Sequence, residues 1–75
     1  MLGKRVLAAR IASGFTQEQL AARTRIPRTI LSAIETGRLE PSLETIARVE
    51  TALGLEPGVL SGRKTLPELL QVAAL

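Results

Sequence analysis

Phe15-Thr-Gln-Glu-Gln-Leu-Ala-Ala-Arg-Thr-Arg-Ile-Pro-Arg-Thr-Ile-Leu-Ser-Ala-Ile-Glu-Thr-Gly37 reads as two short helices joined by a tight turn. Thr16 followed by Gln19 is a capping box: the hydroxyl takes a first-turn N–H, and the glutamine reaches back to the cap's own N–H. The first helix therefore begins at Thr16 and runs to Arg23 or Thr24. The second follows Ile26-Pro27 and ends at Gly37. Helical spacing turns Leu31 and Ile34 of the second helix inward. Arg28, Thr29, Ser32, Ala33 and Thr36 then share the outer face. Solvated helix faces usually carry Glu and Lys, whereas this one has no acid between Arg28 and Ile34. Small side chains let a helix backbone approach base edges in a major groove. Thr and Ser donate or accept there, Ala33 meets a thymine methyl, and Arg28 fits guanine O6 and N7. An ordinary solvated face is the competing reading.

The flanking segments also read as helical, and no run alternates with period two. Helix 1 spans Leu2 to Ser13 and stops at Gly14, a natural left-handed cap. Helix 4 starts after Pro41-Ser42, with Ser42 as N-cap, and ends at Gly54. A short fifth helix is expected from Pro57, where proline suits a first turn, to Gly62. Thr65-Leu-Pro-Glu68 repeats the capping-box pattern and predicts a sixth helix through Ala74. The fold class is thus all-α: five short helices over residues 1–62, with a helical extension over 63–75. The expected core takes Leu2, Val6 and Ala9, flanked by Leu7 and Ile11, from helix 1. It adds Leu20, Ala21, Leu31, Ile34, Leu43, Ile46, Val49 and Leu53, then Leu55, Val59 and Leu60.

Composition narrows the function. The 75-residue chain has no cysteine and no histidine, which leaves no disulfide, thiolate zinc site, haem ligand or Ser-His-Asp triad. Carboxylates are spread about one per helix, with no acid–base constellation, so the chain is not read as an enzyme and no cofactor is expected. No apolar run approaches the roughly 20 residues that span a bilayer. The N-terminus turns helical at once, so no signal peptide is expected. These features predict a cytoplasmic, nucleoid-associated protein without membrane contact. Net charge is +3, and all but two of the ten basic residues are Arg, a lean toward an anionic partner. Phe15 is the only aromatic residue, which argues against single-strand modules that stack bases on aromatic platforms.

Two charges interrupt the apolar stripes. Arg10 lies four residues after Val6, and Glu35 lies four after Leu31. An unpaired buried charge costs several kcal/mol, so each needs a partner. They pair with each other, or both helix ends are exposed and each charge is solvated; spacing does not choose between these.

Arg10, Gly14, Thr16-Gln17, Leu20-Ala21, Leu31, Ile34-Glu35-x-Gly37, Pro41-Ser42-Leu43 and Ala52-Leu53-Gly54 together resemble the phage repressor and Cro (Xre-type) helix-turn-helix family. The resemblance covers Leu2 to Leu60, about four-fifths of the chain. It implies a lambda-repressor-like five-helix bundle, a homodimer and sequence-specific binding of a near-palindromic double-stranded operator. It also implies a buried Arg10–Glu35 ion pair. By the same resemblance Arg28, Thr29, Ser32 and Ala33 read bases. Thr16 and Gln17 hold phosphate at a helix N-terminus, where free N–H groups and the dipole favour an anion. Gln17 would also brace the start of helix 3. Thr36 and Arg38 make further phosphate contacts, and Leu55, Val59 and Leu60 line the dimer interface.

The chain departs from that family in three places. Arg25 stands where a glycine is common, which predicts either a costly left-handed Arg or a differently shaped turn, with an extra phosphate contact as the gain. Pro27 replaces a Ser or Thr cap, and Ala33 replaces a longer polar residue. Beyond the domain, Leu66, Leu69, Leu70 and Ala73 form an apolar stripe that folds back, extends the dimer or docks a second protein. The expected function is a transcriptional regulator, most simply a repressor. The alternatives are the antitoxin of a toxin–antitoxin pair or a restriction–modification controller, with a toxin or RNA polymerase as protein partner.

Overall fold

The computed structural model describes residues 2–62 and contains α1 (Leu2–Ala12), α2 (Gln17–Thr24), α3 (Arg28–Glu35) and α4 (Leu43–Leu53). No strand occurs among the described residues. The predicted caps are in place. Thr16 Oγ1 accepts the Gln19 N–H at 3.0 Å and Gln19 Oε1 accepts the Thr16 N–H at 2.9 Å, closing the capping box. Ser42 Oγ accepts the Thr45 N–H at 3.1 Å, and Gly54 ends α4 in the left-handed region.

The core is one cluster: Val6 of α1, Leu20 of α2, Leu31 and Ile34 of α3, Ile46 and Val49 of α4, with Ile26 and Leu60 from the connections. α3 packs on α1 and α2, and α4 packs on α2 and α1. α1 and α3 approach closely because Gly3 is buried against the end of α3; a Cβ at this position would collide with the Ile34 carbonyl oxygen. Gly3 is the second residue of α1, in its first turn, and its missing side chain permits backbone contact between the two helices.

Three expectations are corrected. Ile11, expected in the core, is 62% exposed because it sits about 140° around α1 from Val6. Leu43 is equally exposed: it opens α4, a turn short of the level at which Ile46 meets the core. The fifth helix is not formed either. Residues 57–62 make a series of turns, with Gly58 and Gly62 at φ of +92° and +83°. The buried Glu50 carboxylate organises them, accepting the N–H groups of Gly58 and Leu60 at 3.0 and 2.9 Å on one oxygen. From α1, Arg5 Nη1 donates to the Leu60 carbonyl at 3.2 Å. Leu60 is thereby drawn into the core of its own domain, leaving Leu55 and Val59 half-buried beside it. The sixth helix and its apolar stripe lie outside the described residues.

Candidate nucleic-acid interface

The α2–α3 unit is held by a turn and by an ion-pair network, one at each end. At the turn, Thr24 is buried; its hydroxyl donates to the Leu20 carbonyl at 2.8 Å and accepts the Ile26 N–H at 3.2 Å. Arg25 adopts φ 60°, ψ 25°, and its N–H donates to the Ala21 carbonyl at 2.8 Å. The turn therefore keeps the left-handed shape despite the missing glycine. Pro27 then enters α3 with no side-chain cap.

At the other end Arg10 grips Glu35 in a fork. Nε donates to Oε2 at 2.8 Å and Nη2 donates to Oε1 at 3.0 Å. Arg10 Nη1 adds a 2.8 Å bond to the Phe15 carbonyl, closing the loop between α1 and α2. Gln17 Nε2 donates to Glu35 Oε1 at 2.9 Å. Gln17 thus braces the end of α3, not its start. Burial alone would push the Glu35 carboxyl up. The hydrogen bonds from Arg10 and Gln17, with the Arg10 charge, outweigh burial and hold it below the usual carboxylate range. The Glu35 hydrogen bond likewise raises Arg10, against the smaller effect of its own desolvation. Of the two readings left by spacing, the buried pair is the one formed, with side-chain exposures of 13% and 3%.

The network leaves donors free. Gln17 has a second amide hydrogen, and the first-turn N–H groups of Gln17 and Glu18 precede the first intrahelical bond of α2. Thr16, Gln17, Arg10 and Arg28 line one open groove between the loop after α1 and the start of α3. On α3, Arg28 and Thr29 are exposed and Ser32 and Ala33 half-buried. Among the described residues the side chains of Arg28, Thr29 and Ser32 have no hydrogen-bond or ion-pair partner, whereas Thr36 Oγ1 donates to the Ser32 carbonyl at 2.9 Å. Arg38 is exposed in the loop after α3. Arg25 does not join this group; it lines a different groove with Arg23 and Arg48.

A helix-turn-helix family model matches residues 6–60 of this arrangement. The chain belongs to the Xre-type helix-turn-helix family. It is 38% identical over 65 residues to an immunity repressor protein of Bacillus phage phi105, covering 87% of this chain and 45% of that protein. It is 37% identical over 65 residues to an uncharacterised helix-turn-helix transcriptional regulator of Sinorhizobium fredii, covering 87% of this chain and 33% of the relative. A regulator of the same description from Methanothermobacter thermautotrophicus is 46% identical over 43 residues, covering 57% of this chain and 62% of its own length. The chain spans less than two-thirds of the length of each of these relatives. No solved structure matches it. Among the described residues no helix is long and apolar enough to cross a membrane, and no acidic, Cys or His cluster forms a metal site.

Three residues that hold the fold in shape were not singled out from the sequence: Gly3, Thr24 and Glu50. Gly3 had a signal, since a glycine within an otherwise helical run usually marks close packing. Thr24 and Glu50 had none, because nothing local announces that a polar side chain will turn inward to meet backbone from a neighbouring segment.

Proposed function

We propose that the chain is the DNA-binding unit of a transcriptional repressor. It binds a near-palindromic operator as a homodimer and places α3 of each protomer in a major groove. The observation that carries this reading is the outer face of α3. It is small and polar, the side chains of Arg28, Thr29 and Ser32 have no partner within the described fold, and its inner edge is locked to α2 through Glu35 and Gln17. Arg28, Thr29, Ser32 and Ala33 read base edges, with Arg28 suited to guanine. Thr16 and Gln17 at the α2 N-terminus, with Thr36 and Arg38 after α3, hold phosphates and set the register. Two such units reach successive major grooves about 34 Å apart, paired through the segment around Leu55 and Val59. Occupancy of a site overlapping a promoter represses it.

The test is a titration of end-labelled duplex from just upstream of the chain's own coding start, beside a scrambled duplex, at two salt concentrations. A preference of at least about 10³ for the upstream duplex is expected. Equal, salt-sensitive binding to both would overturn self-regulation. Arg28→Ala should cost specific binding far more than scrambled binding, whereas Gln17→Ala should weaken both. Equal losses for Arg28→Ala would reassign Arg28 to phosphate.

A further inference from the structure

A second basic surface lies apart from α3. The C-terminal end of α2, the turn and one flank of α4 enclose an open groove bordered by Arg23, Arg25 and Arg48, with Ala47 and Ala52 on its wall. No residue of α3 contributes to it. Gln17 and Arg28 line the other groove, and Arg23 lies about 9 Å along α2 from Gln17 and on another flank. Three arginines, two from the end of α2 and one from α4, therefore line a surface to which no residue of α3 contributes.

The single acid here is Glu44, which receives Arg48 Nη2 at 3.0 Å in an exposed pair one helical turn apart. Exposed pairs of this kind exchange readily for other anions. The Arg23 guanidinium carbon lies 4.7 Å from the centre of the Phe15 ring, a cation–π contact with a residue that borders the other groove. Arg25 is the one non-glycine residue with positive φ among those described. Glycine would relieve that backbone, so the side chain is kept at a conformational cost. An outlier of this kind points to a role for the side chain rather than for the turn.

We infer that the Arg23–Arg25–Arg48 groove docks an acidic peptide segment of a protein partner. The occupant follows from shape and charge. Small-molecule sites enclose most of their ligand, whereas this groove is open to solvent and suits an extended or helical segment laid across it. Carboxylates on that segment meet planar guanidinium forks from both sides, and its apolar side chains rest on Ala47 and Ala52. Because the groove is separate from Gln17 and Arg28, the segment binds whether or not DNA occupies α3. The inference therefore stands independently of the operator reading.

The probe is a fluorescein-labelled oligoglutamate peptide, with an oligoglutamine of equal length as control, followed by anisotropy against the full chain. Oligoglutamate should bind and oligoglutamine should not. Arg25→Gly with Arg48→Gln should weaken oligoglutamate binding about tenfold, the loss of two exposed charge contacts. Arg25→Gly retains the turn, so folding is preserved, and circular dichroism verifies this. Arg28→Gln with Arg38→Gln removes the same charge elsewhere and should leave peptide binding within about twofold. Equal weakening by both pairs would reduce the groove to general electrostatic attraction and overturn the inference. So would an absence of oligoglutamate binding, or a loss of duplex affinity in the Arg25/Arg48 variant as large as in the Arg28/Arg38 variant, which would assign the groove to phosphate.

Discussion

Replacing Glu35 with alanine tests the network on which the α2–α3 geometry rests. The substitution removes both acceptors of the Arg10 fork and the acceptor of Gln17 at once. Arg10 keeps one bond, to the Phe15 carbonyl, and only 13% of its side chain reaches solvent. Breaking a buried pair by deleting one partner costs about 3–5 kcal/mol, because the other charge is left uncompensated. Partial access of water to Arg10 places the expected loss near 3 kcal/mol. A domain of this size has about 4–11 kcal/mol of stability, so the loss is a large share. Urea unfolding followed by far-ultraviolet circular dichroism is the suitable assay, since the chain has neither Trp nor Tyr. With a slope of about 1 kcal/mol per molar urea, the midpoint should fall by about 3 M. A midpoint within about 0.5 M of the parent would refute the reasoning. Adding Arg10→Met to Glu35→Ala should recover part of the loss, because an apolar pair carries no stranded charge. The pH dependence has a definite sign. Glu35 titrates below its unfolded value, so its contribution is complete above about pH 4.3 and disappears as pH falls through the lower folded value. The gap between parent and Glu35→Ala should therefore be full at neutral pH and shrink below about pH 4.

Three further substitutions have clear outcomes. Gly3→Ala should destabilise by about 1–3 kcal/mol despite alanine's better helix propensity, since the methyl meets the Ile34 carbonyl; an unchanged or raised melting temperature would show that α1 and α3 are not in backbone contact. Arg25→Gly should raise stability by about 0.5–1 kcal/mol by relieving the left-handed backbone, and a lower melting temperature would count against that conformation. Glu50→Ala should leave the Gly58 and Leu60 N–H groups without their acceptor and cost about 1–3 kcal/mol, with faster amide exchange at those two positions; unchanged exchange would show that Glu50 does not hold the segment.

The parts of this fold that were legible are those in which the signal is local or periodic. The Thr16–Gln19 capping box, the Ser42 cap and the Gly54 stop are short-range chemistry, and α2 and α4 begin and end where that chemistry places them. Val6, Leu20, Leu31, Ile34, Ile46 and Val49 recur at helical spacing and are buried. Periodicity gives an angle around a helix, however, and not a height along it. Leu43 is at a suitable angle and still lies beyond the core, and Ile11 flanks the stripe in sequence but not in space. Ile26 is the converse case: a turn residue outside any periodic run, buried because the turn folds over the core.

The fifth helix shows where local reasoning meets a long-range competitor. Pro57 is a sound first-turn residue, but a helix there needs an acceptor for its early N–H groups, and Gly58 resists helical backbone. One Glu50 oxygen accepts two N–H groups from α4's side, Arg5 donates from α1, and the segment settles as turns fastened at two points. That arrangement bears on function. If dimer formation uses Leu55 and Val59, the surface that meets the second protomer is positioned by a carboxylate on α4 and a guanidinium on α1 rather than by a helix of its own. α1 also carries Arg10, which sets α3 through Glu35, so one helix links α3 to the segment around Leu60. The spacing between two recognition helices would then be fixed by side-chain contacts on the same two turns of α1. Deleting the Arg5 side chain should loosen half-site spacing without altering which bases α3 prefers. Binding to a series of operators with lengthened centres checks this, and a parent-like preference for a single spacing in Arg5→Ala would separate the pairing segment from α1.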